Sequence, residues 1–336
     1  MIAPHPDLCI VIPACNEQEN LPVLAAEVRD VLQSAGISFE LLMVDDGSRD
    51  RTAAVIRELA ATHSFVRGLI LSRNFGHQAA VSTGLIHARG AAIAVMDADL
   101  QDRPTDLVAL YRRWQQGADV VYAVRRSRKE GWMLRTAYKV FYRVMARAAN
   151  IPIAIDSGDF CVMSADFVEQ LNELPERLRY VRGLRAWLGG VQVALPVDRD
   201  PRRAGRPQYT LARLVRLAID GLVSFSYAPL RVSAVMGFIV AAGAFVSAII
   251  VLVWKILGLL PQGFGIATIA LGVFFLGGVQ LLTIGILGEY VGRVFDEVKR
   301  RPVAIVSTVL AGGSNGGSDG YAEGSARTIK MTRIPD

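Results

Sequence analysis

Two carboxylates separated by one residue are the clearest chemical signal in the sequence. Asp97 and Asp99 follow an apolar run, Ala91–Met96, that is typical of a buried strand. Side chains at positions i and i+2 of an extended chain point the same way, so both carboxylates could meet one hard cation. Mg²⁺ and Mn²⁺ prefer such oxygen ligands, and the ion would also hold a diphosphate. Gln101 continues the spacing, and we expect a metal site here rather than a merely solvated or helix-capping pair.

A second acidic turn also contains a glycine and precedes a helical pattern. It reads Asp45-Asp46-Gly47-Ser48 and follows the second apolar run of the chain. Ser48 or the nearby Asp50 can cap the helix that follows. Asp45 and Asp46 then remain available for hydrogen bonds to a base or a ribose. We expect at least one of them to bind a substrate.

A third acidic turn and several basic residues extend the candidate site. Asp156 and Asp159 flank a Ser-Gly pair directly before an apolar stretch. Three arginines surround a glycine close to the first long apolar run, where they suit a phosphate group better than solvation alone. Three other arginines follow the fifth apolar run and could screen the repulsion between two negatively charged substrates. These arginines are Arg125, Arg126, Arg128, Arg202, Arg203 and Arg206. His77 follows the third apolar run and could reach the same site.

Apolar runs alternate with amphipathic stretches over the first part of the chain. This order favours a doubly covered, mostly parallel α/β sheet, in which ligands bind at the carboxyl ends of the strands. The loops lack the glycine fingerprint of a dinucleotide site and the Walker loop of an ATPase, so neither class is supported. The predicted strands are Leu8–Ile12, Leu41–Val44, Val66–Leu71, Ala91–Met96 and Val120–Val124, and the predicted helices between the first three are Glu19–Ala35 and Thr52–Ala61.

The composition indicates a membrane protein with a polar domain. The chain is 52% hydrophobic and 20% charged, and its net charge of +6 suits an anionic membrane or a phosphate-bearing substrate. No nucleic-acid recognition motif accompanies that charge. Uncharged runs at Val232–Trp254 and Ile256–Gly288 predict two transmembrane helices, at about 232–254 and 266–288. A buried core hairpin is the alternative.

The flanking charges predict the orientation of this hairpin. Arg231 precedes it and Arg293 and Lys299 follow it, so the positive-inside rule puts both ends in the cytoplasm. Residues 1–210 would form the cytoplasmic catalytic domain and residues 211–230 an interfacial helix. The basic amphipathic stretch Trp132–Ala149 could lie on the membrane or pack on the sheet. Residues 293–336 would form a cytoplasmic tail, rich in Gly and Ser and flexible after residue 310.

The ordered set of motifs resembles a known enzyme family. Val11–Glu17, Val44–Ser48 and Met96–Gln101 together are similar to the family 2 glycosyltransferases of GT-A fold. Asp156–Phe160 and Arg203–Gly205, with two C-terminal spans, narrow the resemblance to polyisoprenyl-phosphate glycosyltransferases. This group includes dolichol-phosphate mannose synthase and bacterial enzymes that load glucose or aminoarabinose onto undecaprenyl phosphate. The resemblance implies inverting transfer of a sugar from a nucleotide sugar to undecaprenyl phosphate at the inner membrane. UDP is the expected nucleotide, and GDP is the alternative.

The resemblance also implies roles for individual residues. A nucleotide would be held by Pro13, Ala14, Glu17 and Asp45, and an Mg²⁺ or Mn²⁺ ion with its diphosphate by Asp97, Asp99 and Gln101. Arg203 would meet a phosphate group, and Asp159 is a candidate for the reacting centre. The family commonly has a lysine after the Arg-x-Gly motif, but this chain has Pro207-Gln208-Tyr209. Arg202 or Arg206 would then take over that phosphate contact.

Three other functions share parts of this pattern. A processive polysaccharide synthase is disfavoured because no glutamine here begins its Gln-x-x-Arg-Trp motif. A non-catalytic membrane protein that binds nucleotide sugars is disfavoured by the intact acidic loops. A sugar-nucleotide hydrolase differs in releasing the sugar to water. Glycines along the spans permit close helix packing, so we expect a homo-oligomer, with a tetramer as one option.

Overall fold

The computed structural model describes residues 6–125, 157–177, 179–198, 228–258, 264–313 and 330–331. The chain forms two compact units. The first is built from residues 1–131, 152–207 and 300–336, and the second from residues 132–151 and 208–299.

The first unit contains one mixed sheet, which has nine strands within the described residues. The strands are β1 Leu8–Ala14, β2 Phe39–Asp45, β3 Val66–Leu71, β4 Ala92–Val95, β5 Val120–Arg125, β6 Ser157–Ser164, β7 Gln192–Val197, β8 Ile305–Leu310 and β9 Lys330–Met331. Their order in the sheet is β7-β5-β6-β4-β1-β2-β3-β8-β9, and the adjacent strands β4, β1, β2 and β3 are parallel. Of these nine strands, only β6 and β8 run against the common direction. The predicted mostly parallel α/β sheet is therefore confirmed.

Helices cover both faces of this sheet. Because strand side chains alternate in direction, Ile10 of β1 joins one buried cluster and Val11 joins the other. The helices are α1 Asn20–Ser34, α2 Thr52–Thr62, α3 His77–His87, α4 Pro104–Trp114, α5 Ala165–Glu173 and α6 Val181–Leu188. The first cluster includes side chains of α1, α2 and α4, and the second includes those of α3, α5 and α6. Cys9 and Cys161 are free thiols that are buried in this sheet.

The C-terminal segment contributes to the sheet in a way that the sequence analysis did not foresee. The predicted tail, residues 293–336, contains β8, which pairs with β3 in antiparallel fashion. Ile305–Leu310 reads IVSTVL, and its β-branched residues fit a pleated surface. Ser307 Oγ donates to the Ile70 carbonyl at 2.9 Å, and the Gly313 amide donates to the Ala60 carbonyl at 2.9 Å.

The second unit contains two long apolar helices, α7 Ala228–Ile256 and α8 Phe264–Val298. Leu230–Ile256 and Gly272–Val298 are long and apolar enough to cross a membrane, with mean hydropathies of 2.6 and 1.6. No part of the most apolar window of either span is buried within the structure, which argues against the alternative of a buried core hairpin. The 35 residues of α8 extend over about 50 Å, longer than the ~30 Å hydrocarbon core.

The two predicted amphipathic helices fall outside the described part of the chain. Trp132–Ala149 lies there, and so does the predicted interfacial helix up to residue 227. Residues 228–230 already belong to α7.

Candidate active site

The loops that follow β1 and β2 are joined by hydrogen bonds at the carboxyl edge of the sheet. The Asn16 amide donates to Ser48 Oγ at 2.9 Å, and Asn16 Oδ1 accepts from the Arg49 amide at 2.9 Å. The Glu17 amide donates to Thr52 Oγ1 at 2.9 Å. Asn16 has a φ of 59°, a left-handed conformation that asparagine tolerates. This edge therefore presents polar groups from two adjacent strands in one fixed arrangement.

Asp46 organises the loop that follows β3. The residue is 2% exposed, and its carboxylate accepts from the Phe75 amide at 2.7 Å and from the Gly76 amide at 3.0 Å. Asn74 Nδ2 donates to the Asp46 carbonyl at 3.0 Å. Burial raises the pKa of Asp46, although these two amides pull it down. The side chain predicted to bind a substrate thus has a structural task that the sequence does not reveal.

Gly47 brings the β2 and β3 loops into contact. A Cβ atom at this position would lie 2.3 Å from the Arg73 carbonyl carbon and 2.4 Å from the Asn74 nitrogen. The φ of Gly47 is also +61°, a conformation that glycine adopts without steric cost. Both of these atoms belong to the backbone, so the clash could not be relieved by the movement of a flexible side chain.

Replacing Gly47 with alanine is expected to separate these loops and to lower the free energy of unfolding by about 2 to 4 kcal/mol. Gly36→Ala is a matched control, since Gly36 has a φ of +69° but its Cβ would have no other atom within 4 Å. The loss of unfolding free energy in Gly36→Ala measures the cost of the left-handed backbone conformation alone, about 1 kcal/mol. Melting curves of both variants check this, and equal losses would contradict a special role for Gly47.

Asp97 and Asp99 lie in a turn rather than in an extended segment. β4 ends at Val95, and Leu100 has a φ of 58°. The extended geometry from which the sequence analysis argued therefore does not apply here. The Gln101 amide donates to Asp99 Oδ1 at 3.2 Å, which fixes the turn, and the Asp97 side chain is 26% exposed.

The donor chemistry of this turn fits a hard divalent cation. Two carboxylates and an amide oxygen match Mg²⁺ or Mn²⁺, which are usually bound by one or two carboxylates together with substrate phosphates. Within the described residues, no group of three or more His, Cys, Asp or Glu side chains could hold a metal by itself. The turn would thus need phosphate oxygens to complete such a site.

Asp159 lies at the start of β6, beside the end of β4. Arg182 donates to it from Nε to Oδ1 at 2.6 Å and from Nη2 to Oδ2 at 2.9 Å. His77 Nε2 lies 3.2 Å from Oδ2, and Gln78 Nε2 donates to the same oxygen at 3.3 Å. His77 Nε2 is also 3.9 Å from Asp97 Oδ1. This network connects Asp159 to the predicted metal turn.

The protonation of this network follows from its contacts. Burial by itself would raise the pKa of Asp159, but hydrogen bonds from His77 and Arg182 outweigh it and hold that pKa well below the ordinary range. The hydrogen bond to Asp159 raises the pKa of His77. Asp159 is therefore a carboxylate whose two oxygens already accept hydrogen bonds, which makes it a poor general base.

From the sequence, His77 was predicted only to be within reach of the site, and Gln78 and Arg182 were not predicted to belong to it. The adjacency of Gln78 to His77 at the start of a helix was an available signal. Arg182 has no motif of its own, because its partner is 23 residues away on another element.

The remaining predicted site residues divide into those that the structure describes and those that it does not. Pro13 and Ala14 end β1 as buried residues, and Glu17 accepts from Asn20 Nδ2 at 2.6 Å. Asp45 is 1% exposed and accepts from the Ser48 amide at 3.2 Å. Arg125 ends β5, but only its backbone is described. The predicted residues outside the described part of the chain are Arg126, Arg128, Asp156, Arg202, Arg203 and Arg206, and their roles stay predictions.

Fold and site together define an α/β protein with an acidic, oxygen-rich edge and two apolar C-terminal helices. The profile of the family described as "Glycosyl transferase family 2" matches residues 9–171. An uncharacterized glycosyltransferase of Synechocystis is 40% identical over 90% of this chain and 95% of its own length. The chain belongs to glycosyl transferase family 2, as its motifs predict.

Other relatives carry more specific names. A prophage bactoprenol glucosyl transferase homolog of Escherichia coli is 36% identical over 90% of this chain and 99% of its own. The bactoprenol glucosyl transferase of Shigella phage SfII is 37% identical over 89% of this chain and 97% of its own. Among solved structures, glucosyl-3-phosphoglycerate synthase from Mycobacterium tuberculosis with Mn²⁺ and UDP-glucose matches with a TM-score of 0.47 and 20% identity, over 66% of this chain and 79% of that one.

Proposed function

We propose that this protein transfers a sugar from a nucleotide sugar to a polyprenyl phosphate, such as undecaprenyl phosphate, at a membrane. One observation carries the proposal. The chain joins a glycosyltransferase domain to two exposed apolar helices, and relatives that match about nine-tenths of it are named bactoprenol glucosyl transferases. Bactoprenol is a polyprenol, so an acceptor of this class needs a membrane-bound enzyme. A UDP-sugar is the donor that we favour.

The bond-forming step requires orientation more than proton removal. An oxygen of the acceptor phosphate attacks the anomeric carbon, inverts it and displaces the nucleoside diphosphate. A phosphate monoester has its second pKa near 6, so the acceptor is already largely dianionic at neutral pH. A strong general base is then unnecessary. This agrees with an Asp159 carboxylate that is fully engaged by Arg182 and His77.

The two substrates are anions that must be brought together. Asp97, Asp99 and Gln101 would hold Mg²⁺ or Mn²⁺, which when bound would stabilise the departing diphosphate. The nucleotide pocket would be contacted or shaped by Pro13, Ala14, Glu17, Asp45 and Asp46. The predicted phosphate contacts are Arg125, Arg128, Arg203 and Arg206, and Asp156 is a further predicted substrate contact.

The membrane arrangement completes the proposal. α7 and α8 would cross the inner membrane as a hairpin, with both termini and the catalytic domain in the cytoplasm, as the flanking charges predict. Small residues along these helices, among them Gly237 and Gly277, would allow close packing in a homo-oligomer.

Transfer of label into lipid tests the proposal. Purified protein with Mn²⁺ and undecaprenyl phosphate is incubated with each of a panel of radiolabelled nucleotide sugars. We expect one donor to deliver label to the organic phase. Free labelled sugar in water would indicate a hydrolase, and binding without turnover of any donor would indicate a non-catalytic protein. Lipid-free polymer would indicate a processive synthase.

A further inference from the structure

Asp159 is held by side chains from two helices. Arg182, near the start of α6, makes two parallel hydrogen bonds to its two oxygens, at 2.6 and 2.9 Å. This paired geometry fixes the orientation of a carboxylate as well as its charge. The Asp159 side chain is 4% exposed, so it has little freedom to turn towards solvent.

Gln78 joins the same two helices. Its Nε2 donates to Asp159 Oδ2 at 3.3 Å, and its Oε1 accepts from the Val181 amide at 3.0 Å. Gln78 lies in the first turn of α3, and Val181 begins α6. One amide side chain therefore sets the distance between the two helix starts, with Asp159 between them.

His77 links Asp159 to the metal turn. Its Nε2 is 3.2 Å from Asp159 Oδ2 and 3.9 Å from Asp97 Oδ1. The His77 side chain is 46% exposed, so packing alone does not hold the ring in place. The buried Asp159 provides the fixed point for the ring.

We propose that Arg182 and Gln78 are positioning residues that act through Asp159, which in turn holds the His77 imidazole against Asp97 in the turn that would bind the metal and diphosphate. A group that contacts a metal ligand directly, as His77 would contact Asp97, typically contributes about 10- to 100-fold to affinity or activity. Loss of Arg182 or Gln78 would forfeit up to that amount by releasing His77. The inference rests on the proposed function for its kinetic part only. It assigns Asp159 to a fixed structural role, in contrast to a reacting group.

The main competing role for Arg182 is direct contact with a substrate phosphate. Its side chain is 34% exposed, so a substrate could reach it. The two roles differ in additivity. If Arg182 acts through Asp159, the losses caused by R182M and D159N overlap in the double variant, whereas independent contacts multiply.

NMR of the histidine rings tests whether Arg182 and Gln78 hold the His77 imidazole in place, and it requires neither turnover nor a bound metal. The chain has four histidines, so the His77 ring signals of full-length protein with labelled histidine can be assigned from H77N. At one fixed pH, we expect R182M and D159N to shift the His77 Nε2 signal and Q78L to shift it less. R182K should keep most of the wild-type signal. R112M, at an exposed arginine of α4, should change nothing.

Kinetics on the same proteins complete the test. We expect R182M to lower kcat about 10- to 100-fold with KM for the nucleotide sugar changed less than about threefold. R182K should recover part of the rate, and R182M/D159N should be no slower than the slower single variant. Melting temperatures identify any variant that fails to fold. If R182M or D159N fails to fold, the milder variants R182K and Q78L are used for the test instead.

The outcomes separate the two proposals. An unchanged His77 signal and kcat in R182M, or multiplying losses in the double variant, would overturn the positioning role. If the wild-type protein transfers no sugar to lipid but its His77 signal responds as described, the proposed function fails and the positioning role stands.

Discussion

Replacing Asp97 or Asp99 with asparagine is expected to lower the rate of sugar transfer at least about 10³-fold, which corresponds to roughly 4 kcal/mol of transition-state stabilisation. Asparagine keeps the shape of the side chain but removes the charge that a divalent cation needs. Both residues lie in a turn beyond the end of β4, outside the buried core clusters. The melting temperature should therefore change little while the rate collapses.

The comparison needs a matched acid and a metal control. Asp30→Asn removes a carboxylate from an exposed part of α1, where the side chain is 67% exposed, and should keep the full rate. Chelation of divalent ions should lower wild-type activity to a similar extent, with recovery when Mn²⁺ or Mg²⁺ is added back. A D99N enzyme that works at the wild-type rate would refute the metal role of this turn.

Removal of the Asp46 carboxylate is expected to damage both stability and nucleotide binding. Asp46→Ala leaves the Phe75 and Gly76 amides without their acceptor in a region where Asp46 is 2% exposed. Unsatisfied buried donors cost about 1 to 3 kcal/mol each, so the two amides together predict a loss of roughly 2 to 6 kcal/mol in unfolding free energy. The loop that begins at Arg73 would then loosen, and KM for the nucleotide sugar should rise about tenfold or more.

Asp46→Asn separates charge from hydrogen bonding. Its amide oxygen can still accept from one of the two amides, so we expect about half of the stability loss. Chemical denaturation and initial-rate kinetics on the three proteins measure both effects. If D46A unfolds at the wild-type denaturant concentration, Asp46 does not organise this loop.

Much of the fold could be predicted because its strands are buried on both faces. Leu41–Val44 is a continuous apolar run, Val66–Leu71 is interrupted only by Arg67 and Gly68, and the structure places strands at both positions. β8 was not predicted, because Ile305–Leu310 follows the second apolar helix and its partner β3 lies more than 200 residues earlier. Local sequence patterns carry no information on such a pairing.

The site was predictable in its residue types and less so in its geometry. The acidic loops follow the strands, as expected, but Asp99 lies in a turn since β4 is only four residues long. Asp46 acts on a neighbouring loop through backbone amides, which no side-chain motif reveals. The contact between Asp159 and Arg182 depends on how α6 packs beside β6, so it emerges only from the three-dimensional structure.

A donor that is labelled in both its sugar and its phosphate tests most directly whether the protein transfers the sugar alone to the lipid. Wild-type protein is incubated with undecaprenyl phosphate and UDP-glucose that carries ¹⁴C in the sugar and ³²P in the phosphate next to it. Sugar transfer predicts a lipid with ¹⁴C and no ³²P, together with one UDP released per lipid formed. A lipid that contains ³²P with release of UMP, or ¹⁴C found only as free glucose, would contradict it.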